Sequence, residues 1–251
     1  MSTTWERRED GTVVLTVDHP PVNALPARAW HELAATIRAV GADEATRVLV
    51  LRAAGRGFNA GVDIKELAAD GGHRALVEVN RGCAEAFAAA YECPVPVISA
   101  VHGYCLGGGI GLVANSDVII AADDATFGLP EVDRGALGAA THLSRLVPHH
   151  AARALYYTGR TATAQELHRF GSVWRVVEPD RLLDAALELA AEIAAKDPRV
   201  VRMAKESFNG IDPVDVRRGY RYEQGFTFEL TLAGAADRAR RAFARGGGAE
   251  T

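Results

Sequence analysis

Gly103–Leu112, GYCLGGGIGL, stands between an apolar strand and a helix start, and the fold is decided there. The strand is Pro96–Val101, PVISAV, short, rich in β-branched residues and bounded by Pro94 and Gly103. Gly107, Gly108 and Gly109 then lead into a helix predicted over Ile110–Asn115. With no Cβ, these residues let backbone N–H groups come close to a ligand. At a helix entrance those N–H groups lack intrahelical partners and carry the positive end of the dipole. Such a turn suits an oxygen that becomes anionic during a reaction. Glycines after a strand also serve tight packing, and a dinucleotide site is a further alternative. The dinucleotide fingerprint, started at Gly107, requires glycine at position 112, where the chain has Leu112.

Outward from this turn, the chain has 251 residues, enough for a large core in one domain or a domain with a small appendage. Its 48% hydrophobic and 24% charged residues are those of an ordinary globular protein. A net charge of −4 favours neither nucleic acid nor an anionic membrane as partner. Cys83, Cys93 and Cys105 have no ligand-like spacing and read as reduced thiols of a cytoplasmic protein. The eight histidines form no metal-binding pattern, so no metal is expected. There is no basic-then-apolar leader and no apolar run of membrane-spanning length.

Strands are predicted at Thr12–Val17, Arg47–Arg52, Pro96–Val101, Asp117–Ala121 and Thr126–Leu129. Asp18–Leu25, DHPPVNAL, reads as a turn, followed by helical spacing over Pro26–Val40. Ala53–Gly61 is a glycine-punctuated loop running into Val62–Leu67, and Arg74–Tyr91 is a long Ala-rich helix. From Ala139 the chain reads as helical, broken at Gly171–Val177. Its later helices fall at Leu182–Lys196, Arg199–Phe208, Val214–Leu232 and Ala235–Ala244, and the tail Gly246–Thr251 is expected to fray. Strands early and helices late imply an α/β core capped by helices.

Three loops that each leave a short strand carry the candidate chemistry: Gly57–Leu67 (GFNAGVDIKEL), Gly103–Leu112, and Ala125–Gly135 (ATFGLPEVDRG). The first offers a backbone N–H near Val62, the second one at Gly108, and the third the carboxylate of Glu131, a candidate general base. Taken together, these loops resemble those of the crotonase (enoyl-CoA hydratase/isomerase) superfamily, over essentially the whole chain from PVNAL at Pro21–Leu25 onward. The resemblance implies a repeated ββα core with a helical C-terminal region, placed at residues 1–195 and 196–251. It implies that Val62 and Gly108 form an oxyanion hole for an acyl-CoA thioester, and that Ala60, Gly61, Asp63, Ile64, Gly107 and Gly109 border the bound substrate, with Asp63 more structural than chemical. Glu131 falls on one of the family's two catalytic glutamates. A Cβ at Gly108 is expected to intrude where the thioester oxygen approaches. The resemblance further implies a homotrimer or hexamer, with coenzyme A as part of the substrate and no separate cofactor.

The chain departs from the family at Gly111, where hydratases carry the second glutamate. Asp133, His142, Glu78 and Glu85 are candidates to replace it. Hydration needs one group to activate water and an acid to deliver a proton, so the loss disfavours it. One carboxylate with an oxyanion hole suffices for double-bond isomerisation or for hydrolytic carbon–carbon cleavage of a diketone. A non-catalytic thioester-binding homologue is a further alternative. At finer grain, GRGFNAGVDIKE, GGGIGLVANSDVI, ATFGLPEVDRGALGAATHLSRLVP and EQGFTFELTLAG resemble actinobacterial crotonases of steroid-ring degradation, which implies ring-opening hydrolysis.

Overall fold

A computed structural model describes residues 2–64 and 73–244. Positions 65–67 of the segment Val62–Leu67 and the tail Gly246–Thr251 lie outside the described residues. Strands β1 (Ser2–Arg7), β2 (Thr12–Asp18), β3 (Val48–Ala53), β4 (Val97–Val101), β6 (Val118–Ala122) and β9 (Arg175–Val177) form a six-stranded sheet in the order β1-β2-β3-β4-β6-β9. Only the β1–β2 pair is antiparallel. Parallel neighbours need long crossovers. These are supplied by α1 (Ala27–Ala42), α2 (His73–Tyr91) and the short α3 (Gly108–Val113). A second, three-stranded sheet joins β5 (Tyr104–Leu106), β7 (Thr126–Gly128) and β8 (Ala162–Thr163).

Alternation along the strands sends side chains to both faces of the large sheet. Leu15, Leu49, Leu51, Val97, Val101 and Ala121 enter one core, against α1 and α2. Val14, Val50, Ile98, Ala100 and Ile120 enter the other, beneath Leu182, Ala186 and Ala190 of helix α7 (Leu182–Ala194). This two-sided burial explains why β4 is apolar at four of its five positions and buried at all five, with Ser99 satisfied by the Ser116 hydroxyl. On α1 the buried residues Trp30, Leu33, Ala34, Ile37 and Val40 recur at helical spacing. Gly82 of α2 lies against Trp30, where a Cβ would come within 2.8 Å of the Trp30 Cβ, so the two helices approach closely.

The later chain forms a 3₁₀ turn (Pro130–Arg134), α4 (Ala140–Leu146), α5 (His149–Thr158), α6 (Ala164–Phe170), α7, α8 (Pro198–Ile211), α9 (Val216–Leu232) and α10 (Ala235–Ala244). Four short strands escape the sequence reading: β1, β5 within the glycine turn, β8 within the stretch read as helical from Ala139, and β9 within the expected break. Each has six residues or fewer and little periodicity of its own. The helix expected over Ile110–Asn115 begins earlier, at Gly108, with Gly107 capping it. Among the described residues no helix is long and apolar enough to cross a membrane.

Helix α8 is tied to the sheet by Lys205, whose buried Nζ donates to Asp117 Oδ2 at 2.7 Å and to the carbonyl of Val95 at 3.1 Å. Asp117 Oδ2 also accepts the N–H of Val97 at 2.7 Å. Lys205→Met keeps the aliphatic stem and strands the carboxylate, so urea unfolding should show a loss of about 3 kcal/mol. An unchanged midpoint would show that the ion pair does not hold the helix.

Candidate active site

The first loop is built by two buried asparagines. Asn23 accepts the N–H of His19 at 2.7 Å, and its amide donates to the carbonyls of Ala54 at 2.7 Å and Gly57 at 2.9 Å. Asn59 donates to the carbonyl of Asn23 at 2.7 Å and accepts the N–H of Gly61 at 2.8 Å. Its backbone pairs with β5 through Tyr104 and Leu106. Both side chains are buried and fully engaged, so the proline-rich turn, the loop and β5 move as one piece.

This clamp presents two turns to each other. Leu25 and Val62 form a parallel bridge in which Leu25 N–H donates to Gly61 and Asp63 N–H donates to Leu25. That pattern turns the N–H of Val62 away from the bridge. Gly107 N–H is taken by Gly128, and Ile110 N–H by Gly107. The N–H groups of Val62 and Gly108 have no acceptor among the described residues. Gly61, at φ +87°, packs on this turn so closely that a Cβ there would lie 3.4 Å from Gly108 N. Gly107 itself has φ +56°, a conformation that favours glycine.

Each neighbour of the glycine turn constrains a different face. At Gly107 a Cβ would lie 2.5 Å from Glu131 Oε1; at Gly108 it would meet the Trp30 ring at 2.6 Å; at Gly109 it would crowd Asn59 and Cys105 at 3.1 Å. The expected reason for glycine at Gly108 is therefore corrected: a Cβ there meets Trp30. Gly109 serves packing. Ala60 is half-buried and Ile64 exposed, at the edge of the loop.

Glu131 lies in the 3₁₀ turn after β7, with Pro130 at its first position. Its carboxyl is enclosed between Gly107 and Gly138, where a Cβ would come within 2.6 Å of Oε2. Oε2 is shut off from solvent and unpartnered, although the residue as a whole keeps some exposed surface. Burial pushes the pKa of Glu131 up to about 7, against the pull of its own backbone N–H and the Arg134 guanidinium. Such a group is poised as a base at neutral pH.

Gly111 points at the ring of Phe87, which fills the space a side chain would need. Phe87 packs edge-on against Trp30 at 5.8 Å, His142 at 5.0 Å and Tyr220 at 5.2 Å between centroids. Of the four candidates for the missing acid, Asp133 is exposed beside Gly159, Glu85 is paired with Arg38, and Glu78 with Arg81. His142 alone joins the cluster. Asn115 Nδ2 donates to the Gly111 carbonyl at 2.7 Å and lies 3.0 Å from His142 Nδ1, so Nδ1 accepts and Nε2 carries the proton. Burial holds the His142 pKa down at about 3, and the ring is neutral.

A carboxyl the sequence reading passed over also enters this region. Glu223 of α9 is buried and accepts the N–H of Thr141 at 3.0 Å. Its signal was present: Val216, Tyr220, Glu223 and Thr227 share one helix face, and that face is buried. A groove of about 570 Å³ between the starts of α1 and α2 is lined by Arg28, His31 and Arg74 together with Glu32 and Glu78, and Arg28 pairs with Glu32 there at 2.6 Å. Among the described residues no three His, Cys, Asp or Glu side chains could hold a metal ion.

The profile of the enoyl-CoA hydratase/isomerase family matches residues 7–229, nearly the whole of this architecture and all three loops. The chain belongs to that family. The crotonase fold follows from the same membership, and an enoyl-CoA hydratase/isomerase from Xanthobacter autotrophicus Py2 superimposes with a TM-score of 0.84 at 28% identity, covering 95% of this chain and 93% of that one. Two crotonase relatives are more similar in sequence. One, from Rhodococcus jostii (strain RHA1), is 63% identical over 95% of this chain and 92% of its own. The other, from Mycobacterium tuberculosis (strain ATCC 25618 / H37Rv), is 62% identical over 94% and 96%. Both are named (7aS)-7a-methyl-1,5-dioxo-2,3,5,6,7,7a-hexahydro-1H-indene-carboxyl-CoA hydrolase.

Restoring a glutamate at position 111 requires the Phe87 ring to move. Gly111→Glu should lower stability by about 1–3 kcal/mol through overpacking, and in denaturant titration it should cost less in a Phe87→Ala background than in the wild type. Equal costs in both backgrounds would show that the ring is not the obstacle.

Proposed function

We propose that this enzyme hydrolyses a carbon–carbon bond of a cyclic diketo acyl-CoA, opening the ring. The observation that carries the reading is the enclosed carboxyl of Glu131 beside the glycine turn, with Phe87 filling the space at Gly111 where the hydratase's second glutamate would stand. The names of the two relatives support the substrate class. In this reading the N–H groups of Val62 and Gly108 hold the thioester oxygen, and Gly61 and Gly107 keep the approach clear of side chains. Ala60, Asp63 and Ile64 border the coenzyme.

Glu131 takes a proton from water as the water oxygen adds to the ring ketone. The bond between that carbon and its neighbour breaks, and its electron pair passes into the thioester enolate. The oxyanion hole stabilises the enolate where its charge develops. Glu131 returns the proton to carbon, and the new carboxylic acid ionises. Five buried polar atoms around this region have no partner among the described residues: Trp30 Nε1, Asn115 Oδ1, Glu131 Oε2, His142 Nε2 and Glu223 Oε1. Buried groups of this kind are normally paired, and the Trp30 and His142 N–H groups are matched by an acyl group bearing ring oxygens better than by a plain alkyl chain.

We also propose that the enzyme works in steroid-ring degradation in the cytoplasm, as a trimer or pair of trimers. Three free cysteines support a reducing compartment, and exposed Val200, Met203, Phe208 and Ile211 on α8 support assembly. Coenzyme A enters as part of the substrate, and the mechanism requires no other cofactor.

A screen of a bicyclic diketo acyl-CoA beside crotonyl-CoA and a 3-enoyl-CoA tests the reading. The diketo substrate should yield a new carboxylate carrying one oxygen from labelled water, and crotonyl-CoA should not be hydrated. Turnover of the 3-enoyl-CoA alone would make the enzyme an isomerase. Glu131→Gln should lower kcat by about 10²–10⁴ with little change in Kd. Because the base works ionised, wild-type kcat/KM should fall as pH drops below about 7. Full turnover in Glu131→Gln would remove the residue from the chemistry.

A further inference from the structure

Glu131 and Glu223 reach the same short loop from opposite sides. The Glu131 carboxyl packs on Gly138, while Glu223 Oε2 takes the N–H of Thr141 three residues later. The loop is held between them: Tyr156 Oη accepts the N–H of Gly138 at 2.9 Å, and Gln224, next to Glu223, donates to its carbonyl at 3.4 Å. Each carboxyl keeps one enclosed oxygen without a partner, Oε2 on Glu131 and Oε1 on Glu223. No salt bridge reaches either carboxyl among the described residues. Two neighbouring carboxylates in a dry site cannot both be charged at moderate cost. Since Oε2 of Glu223 already accepts a hydrogen bond, a proton on Glu223 belongs on Oε1.

We propose that Glu223 is a positioning residue for the reaction: it holds the proton of a carboxyl pair that carries one negative charge, and so confines that charge to Glu131. The proposal rests on the reading of Glu131 as the base. It explains how a site that lost the glutamate at Gly111 still keeps a neutral carboxyl beside an ionised one, supplied from a different helix. A second negative charge, once Glu223 ionises, would oppose the enolate forming nearby.

The other titratable groups packed around the pair stay neutral across the working range. Burial pushes Tyr220 of α9, Cys83 of α2 and Tyr156 of α5 upward, and holds His142 of α4 down at about 3. Arg134, on the turn of Glu131, draws that carboxyl downward without pairing with it. Glu131 and Glu223, raised by burial to about 7 and about 8, are left to titrate in this range, and the charge on Glu131 adds to the rise of Glu223.

The test is the pH dependence of kcat/KM with a substrate the wild type turns over, measured beside Glu223→Gln. The wild type should give a bell, rising through about 7 and falling above about 8. Glutamine copies the neutral form and can still accept from Thr141, so its rate at neutral pH should stay within about tenfold of wild type while the alkaline fall disappears. An alkaline limb unchanged in Glu223→Gln overturns the proposal. Infrared difference spectra of the resting enzyme give a readout free of turnover. Of the protonated-carboxyl stretches of the wild type at pH 7, one component should vanish in Glu223→Gln and another in Glu131→Gln, and the lack of any component lost in Glu223→Gln overturns the proposal. If no acyl-CoA is turned over, or Glu131→Gln keeps full rate, the reading of Glu131 fails instead, and the infrared band still decides whether Glu223 holds a proton.

Discussion

The structure depends on a close approach of backbone that no side chain could permit. Gly107 and Gly108 are pressed between Gly61, the Trp30 ring and the carboxyl of Glu131. Any Cβ at either position would displace one of these neighbours. Removing the side chains brings the turn carrying Val62 against the first turn of α3 and leaves two N–H groups without acceptors among the described residues. It also lets Glu131 in from a third loop, its Oε1 within 2.5 Å of where a Gly107 Cβ would lie.

The buried polar groups divide accordingly. Asn23 and Asn59 are satisfied, tying the proline-rich turn to the first loop and that loop to β5. Lys205 and Asp117 do the same for α8 and the sheet. Around Phe87 and the glycine turn the pattern reverses, and Trp30, Glu131, His142 and Glu223 each keep an unpartnered atom. Satisfied networks give rigidity. Unsatisfied groups raise the energy of the region they occupy. The shift of Glu131 to about 7 has the same origin, since the enclosure that isolates the carboxyl also makes it basic.

The absence of a glutamate at Gly111 thus has a physical partner. Phe87 occupies the position, and an aromatic cluster of Trp30, His142 and Tyr220 forms around it. The surroundings of Gly111 are accordingly aromatic, with the Phe87 ring where a side chain would project. The carboxyl of Glu223 enters from the far side of the loop that covers Glu131.

Much of this was legible in the chain itself. Apolar runs at Val48–Ala53 and Val97–Val101 mark buried parallel strands, because strands covered on both faces have no polar side to show. The glycine turn, the AG-x-D loop and Glu131 after Pro130 are local signals, since each follows from the backbone conformation of a few adjacent residues. Gly111 could likewise be read as a departure without coordinates. What fills the space at Gly111 could not be read, because Phe87 lies 24 positions away on another helix, and the same holds for Trp30 beneath Gly108. Glu223 was visible only as one residue of a helix whose buried face had no known neighbour. Burial, the raised pKa values and the pairing of two carboxyls across one loop belong to the tertiary structure, because desolvation and charge coupling depend on distances that sequence separation does not encode.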